Sequence, residues 1–167
     1  MNITRKTNPT GIDEVIDVIQ VRLYNKLSFP SSFNIFDRVY KTESDNGVKL
    51  ERYIGGNEYK DVFVNDKTAG HIVFYLNEQS DVNATAVNGT LSVFCFADLS
   101  ECYPSVTHRA DQELHRDLYT VLRSYHITNI THGIDALRGY NVKFQDIHPW
   151  HVCRFDLKLN YSLIKNC

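Results

Sequence analysis

Between Thr10 and Leu27 the apolar side chains Ile12, Val15, Ile16, Ile19, Leu23 and Leu27 recur three and four residues apart, with Asp13, Asp17 and Lys26 between them. That spacing predicts an amphipathic helix with one face against a core. Thr10 followed three residues later by Asp13 resembles a capping box. Asp13 and Glu14 suit the positive helix end, and Pro30 stops continuation. A second helix is expected over 107–125, with Leu114, Leu118, Val121, Leu122 and Tyr125 as its apolar stripe. Arg109, Arg116 and Arg123 recur every seven residues. At about 100° per residue they fall on the side opposite that stripe.

Between the two helices the pattern changes to short apolar or aromatic runs separated by polar turns, which is strand texture. Ile35–Tyr40 and Val48–Ile54 flank Ser44-Asp-Asn-Gly47, whose Asn-Gly pair suits a tight hairpin turn. Gly55-Gly56-Asn57 ends the second strand as another turn, and 62–64 reads as a short edge piece. Strands at about 70–77 and 89–97 follow. The polar connection 77–88 between them is long for a hairpin and is expected to be a mobile loop or engaged with a partner. After the second helix come Ile127–Ile130, a segment at about 133–150 read as an irregular insertion, and a last strand over 152–161. In that strand Phe155, Leu157, Leu159 and Tyr161 alternate with Asp156, Lys158 and Asn160. The expected fold class is α+β over one domain, 1–167: a mainly antiparallel mixed sheet packed with two amphipathic helices.

Composition narrows the functional classes. Eighteen Lys and Arg stand against 20 Asp and Glu in 167 residues, so the chain is not a generally basic, phosphate-neutralising protein, though a local basic patch stays open. With 43% apolar residues, a chain of this length builds a core without disulfides or a metal. The basic start Met1–Lys6 runs into Thr7-Asn-Pro9 where a secretory leader needs an apolar stretch, so no leader is expected. Leu91–Ala97 is far shorter than the roughly 20 residues that cross a bilayer, so no membrane contact is expected. Cys95, Cys102, Cys153 and Cys167 form no CxxC pair, which favours reduced thiols in a cytosolic setting.

The densest cluster of ligand-type residues is His148-Pro-Trp-His151-x-Cys153, which Cys95 or Cys102 would have to complete. Zinc needs about four converging ligands, and this spacing matches no strong zinc signature. His108 and His115 stand about 10 Å apart along one helix, too far to share an ion. Buried thiols and surface histidines explain these residues better, so neither metal nor cofactor is expected. Asp111 lies one turn before His115 and could orient it as a base, but such pairs are common on solvated helices. The chain lacks a Gly-x-Ser-x-Gly elbow, a phosphate loop and a dinucleotide fingerprint. No catalytic residue is assigned, and the chain is expected not to be an enzyme. The arginine face admits contact with phosphates or with a neighbouring subunit, or an ordinary solvated face in which Glu113 pairs with Arg109 and Arg116. The tyrosines and phenylalanines are expected mostly in core and sheet.

The order helix, hairpin, two strands, helix and final strand resembles the tail-terminator and tail-completion family of tailed bacteriophages. The likeness is carried by the helix Thr10–Leu27, the strand Ile35-Phe-Asp-Arg-Val-Tyr40, and Tyr53-Ile-Gly-Gly56 leading into Tyr59-Lys-Asp-Val62. It continues in Gly89–Phe96 paired with the helix His108–Tyr125, and in the closing strand Arg154–Tyr161. It covers most of the chain as a match of layout rather than of one diagnostic motif. The resemblance implies a structural virion protein that forms a homo-oligomeric ring at the head–tail junction. Six copies are implied for a long-tailed phage, or twelve for a short-tailed neck, with assembly in the host cytoplasm. Portal, connector or tail-tube proteins would be its neighbours, with passing contact to packaged DNA. The implied subunit interface draws on Asn77, Glu78, Asp81 and Asn88, on Arg109, Arg116 and Arg123, and on the exposed side of the 33–54 hairpin. Two rival readings are a small metal-binding enzyme domain using His148, His151, Cys153 and Cys95, and a nucleic-acid-binding module using the arginine face.

Overall fold

The computed structural model describes residues 1–44, 47–63, 68–82, 85–106, 110–142 and 150–163. Its strands are β1 (Asn2–Ile3), β2 (Phe33–Ser44), β3 (Gly47–Gly55), β4 (Glu58–Asp61), β5 (Gly70–Asp81), β6 (Ala86–Asp98), β7 (His126–His132) and β8 (Trp150–Ser162). They form one sheet in the order β4-β3-β2-β5-β6-β8-β7, with β1 paired to β2. The pairings are antiparallel except for β2 with β5 and with β1. The helices are α1 (Ile12–Lys26), a single turn α2 (Leu99–Cys102) and α3 (Asp111–Leu122). The fold is therefore α+β, as the pattern of the chain predicts.

Alternation along the strands sorts the core into two layers. On one face, Ile12, Ile16, Ile19 and Leu23 of α1 and Leu114, Leu118 and Leu122 of α3 pack on Ile72, Phe74, Leu91, Val93, Cys95, Phe155 and Leu157. On the other, Val73, Phe94, Phe96 and Val152 meet Val39, Leu50, Val62 and Phe63, with Ala136 and Leu137 from a 3-10 turn, Gly133–Leu137. Two bulges shift this alternation. Ile35 pairs with Ile72 but Arg38 with Phe74, so β2 carries one extra residue. The phase flips there: Ile35 faces the helices and Val39 the second layer, while Arg38 turns back toward α1. In β5, Leu76 pairs with Leu91 and Glu78 with Thr90, which makes Asn77 the extra residue.

Several expectations are corrected. Of positions 77–88, expected as a loop, 77–81 and 86–88 belong to paired strands, and 83–84 lie outside the described residues. Asn77, Glu78 and Asn88 lie within β5 and β6, whose pairing runs on to Asp81 and Val87. Backbone pairing and polar side-chain contacts, such as Asn160 donating to Asn88, hold these positions, which is why apolar alternation does not mark them. The Thr10–Asp13 capping box does not form: Gly11 caps α1 without a side-chain hydrogen bond. Asp13 is instead buried and drawn to Lys6 and Arg38. The edge piece is β4 at Glu58–Asp61 rather than 62–64, because Val62 and Phe63 turn inward to the second layer. Val64 lies outside the described residues. Helix α3 starts at Asp111, and positions 107–109 are not described. In the insertion at 133–150, Ala136 and Leu137 are buried in the second layer, and 143–149 lie outside the described residues.

Candidate functional surfaces

Beyond the second core layer, the same sheet face turns polar toward the far ends of β5, β6 and β8. The registers Glu78↔Thr90↔Lys158 and Ser80↔Asn88↔Asn160 line up side chains across three strands. Glu78, Lys158 and Asn160 are exposed, and no described element covers them. At the boundary with the apolar layer sits Asp156, 6% exposed. The Ser92 hydroxyl donates to its Oδ1, Arg154 Nε donates to the same oxygen at 2.7 Å, and Asn129 Nδ2 donates to Oδ2 at 3.3 Å. Asn77, thrown out by the β5 bulge, donates its amide to Ser92. Arg154 also lies over the Phe94 ring, 5.3 Å from its centroid. This network fixes four strands against one another and gives the polar face a rigid base.

Three of the expected interface residues thus come together. Asn77 roots the network, while Glu78 and Asn88 line the polar face with Ser80, Thr90 and Lys158. Asp81 continues the β5 backbone pairing opposite Val87. The arginines stand elsewhere. Leu114, Leu118, Val121 and Leu122 of the expected stripe are buried, whereas Tyr125 lies beyond the helix and is partly exposed; Arg116 and Arg123 are exposed on the side of the sheet opposite the polar face. Arg116 leans on Asp117 at 3.6 Å rather than on Glu113. Arg109 lies outside the described residues. On the adjoining flank, Arg22 of α1 donates to the Ser124 hydroxyl at 3.0 Å and lies 5.7 Å from the Tyr125 ring centroid. Those contacts tie α1 to the end of α3.

The histidines converge in a way that spacing does not suggest. His115 on α3, His132 closing β7 and His151 opening β8 form a chain of rings, with centroids 4.7 Å and 6.1 Å apart. His115 also stands edge-on to Phe155 at 5.5 Å. Burial lowers the pKa of His115, and the charge of His132 adds to that. Burial also lowers His151, against a smaller opposing pull from Asp111. Both rings are thereby biased toward the neutral form. Cys153 lies opposite Cys95 in the β6–β8 register, and both thiols are buried in the helix-side core, apart from any solvent-facing ligand set. His148 lies outside the described residues. No group of three His, Cys, Asp or Glu side chains among the described residues is placed to hold a metal ion.

The Asp156 network escapes sequence reasoning because Asp156 sits in the polar phase of an alternating strand and reads as solvated. One signal was available: Ser92 interrupts the otherwise apolar run Leu91–Ala97. When the chain is compared with family models, curated proteins and solved structures, no match is found.

Proposed function

We propose that this protein is a structural subunit of a ring at the head–tail junction of a tailed bacteriophage, acting as a tail terminator or neck component rather than as an enzyme. The observation that supports this best is a pair of chemically unlike surfaces on opposite faces of one sheet. One is the polar face of Glu78, Asn88, Thr90 and Lys158. The other is the α3 face bearing Arg116 and Arg123. A ring closed head to tail needs two such different patches on every subunit, because each copy offers one to its predecessor and the other to its successor. The layout resemblance supplies the rest of the reading: six or twelve copies, portal, connector or tail-tube neighbours, passing contact with packaged DNA, and a place in the virion after assembly in the host cytoplasm. The Asp156 network supports it further, since a sheet face held rigid before assembly loses little conformational freedom on docking.

The test is genetic and structural together. Deleting this reading frame from the phage that encodes it should leave filled heads and separate tails in electron micrographs, and supplying the wild-type chain should rejoin them. Arg116→Glu with Arg123→Glu should leave the circular dichroism unchanged and fail to complement. Intact particles without the chain would overturn the reading.

A further inference from the structure

On the flank of α1 that faces β2, the N-terminal arm, the β2 bulge and the β3–β4 hairpin enclose a cleft of about 390 Å3. That volume is typical of small-molecule sites, which run from roughly 300 to 1,000 Å3. Its base is built and buried. Asp13 receives Lys6 Nζ and lies 3.0 Å from Arg38 Nε, and Gln20 donates to the backbone carbonyls of Thr4 and Phe36 at 2.7 and 2.8 Å. Its wall is aromatic and open. Tyr40, Tyr53 and Tyr59 are 46%, 50% and 54% exposed, and Tyr59 meets Tyr40 and Tyr53 edge-on at 6.1 and 5.6 Å. Tyr53 and Tyr59 are cross-strand partners, placed together by the turn at Gly55, Gly56 and Asn57. Asn57 holds a left-handed φ of 64° there and lines the cleft, as does Asp37 from the β2 bulge.

The lining decides what chemistry fits. Lys6 and Arg38 balance Asp13 and Asp37, and Asp13 is already engaged by both cations, so the cleft carries no surplus charge to recruit an ion. Burial raises the pKa of Asp37, which further weakens its pull on a cation. A wholly apolar ligand would strip water from Asp37, Asn57 and Arg38 without replacing their hydrogen bonds. The occupant therefore needs an apolar face for the tyrosines and a rim of uncharged donors and acceptors for the polar groups. We propose that the cleft binds a neutral sugar ring, its C–H face against the Tyr53 and Tyr59 rings and its hydroxyls on Asp37, Asn57 and Arg38. This binding does not depend on the ring reading above and adds a ligand to a chain that the reading treats as purely structural.

Saturation-transfer NMR and calorimetry on the full chain test it with a panel of neutral oligosaccharides of glucose, galactose, mannose and N-acetylglucosamine at millimolar concentrations. Tetramethylammonium and adenosine serve as competing probes for a cation cage and a base-stacking platform. At least one sugar should bind, with the strongest transfer to its ring C–H protons. Tyr59→Ala and Asp37→Ala should each weaken it about tenfold, while Tyr59→Phe retains it; tenfold corresponds to about 1.4 kcal/mol. Tyr59 is half exposed, so its replacement leaves the fold intact, which circular dichroism checks. The proposal is overturned by silence across the sugar panel, by sugar binding that Tyr59→Ala leaves unchanged, or by binding of tetramethylammonium or adenosine alone.

Discussion

Replacing Asp156 by alanine should be among the most damaging single changes on the polar side of the sheet. The substitution removes the acceptor for three donors at once: the Ser92 hydroxyl, which is fully buried, Arg154 Nε and the Asn129 amide. A buried donor left without a partner costs about 1–3 kcal/mol, and a buried ion pair broken from one side costs about 3–5 kcal/mol. The Arg154 side chain keeps 23% of its exposure and regains some hydration, so the two contributions do not simply add. The expected loss is about 3–5 kcal/mol, equivalent to a Tm fall of roughly 6–20 °C for a chain of this size. Asp156→Asn keeps an oxygen for Ser92 and should lose about half as much. Thermal and urea unfolding followed by circular dichroism measure both. Glu78→Ala, on the exposed part of the same face, serves as the control and should stay within about 0.5 kcal/mol of wild type. If Asp156→Ala were no worse than Glu78→Ala, the network would not hold the sheet face together.

Leu118 is fully buried in the helix-side core, so Leu118→Ala should cost about 2–5 kcal/mol, whereas Arg116→Ala should cost under about 1 kcal/mol. Equal losses in urea denaturation would mean that α3 is turned the other way. Gly70 has φ 143°, and a Cβ there would lie 2.7 Å from the Phe33 ring and 2.9 Å from Ala97 Cα. Gly70→Ala should therefore cost more than about 2 kcal/mol or leave the chain insoluble, and a soluble variant with wild-type Tm would contradict that packing. His115 and His151 both have folded pKa values below the ordinary 6.5. The unfolded chain then takes up protons first as pH falls, so their contribution to stability is whole above about pH 6.5 and is lost as pH drops through the lowered folded values. Tm should fall between about pH 7.5 and 5.5, roughly one unit either side of the ordinary histidine value, and His115→Gln with His151→Gln should flatten the slope. An unchanged slope would remove these two rings as its cause.

What could be read from the residues alone follows from how each element is stabilised. Helices α1 and α3 repeat their apolar spacing over three or more turns, an Asn-Gly pair stands in the sequence where β2 and β3 pair, with 45–46 outside the described residues, and β8 alternates cleanly, so each leaves a local mark. The outer halves of β5 and β6 leave little, since Glu78, Asn88 and Thr90 lie on the second-layer face beyond the reach of its apolar cover, where polar residues replace the alternation. The bulges at Asp37 and Asn77 are equally silent, because one extra residue is visible only against the partner strand. Both bulges matter most for the surfaces described here: one aims Arg38 into the tyrosine cleft and the other delivers Asn77 to Ser92. The histidine chain likewise depends on β7 joining the far edge of β8, a pairing between distant segments that spacing along the chain does not encode.

The buried thiols have a consequence for how the fold moves. Cys95 and Cys153 face each other at the β6–β8 seam, and Cys102 lies at the end of α2, its sulfur 3.6 Å from the Ala69 carbonyl oxygen. Burial pushes the Cys95 thiol upward and the Cys102 thiol up to about 12. Because only a thiolate that a reagent can reach will react, modification of these groups has to wait for the surrounding structure to open. The chain thus carries its own clocks. Cys102 keeps time for the lifting of a single helical turn, whereas Cys95 and Cys153 strike only when the longest seam of the sheet parts. The order in which they react ranks local against global opening without any added label.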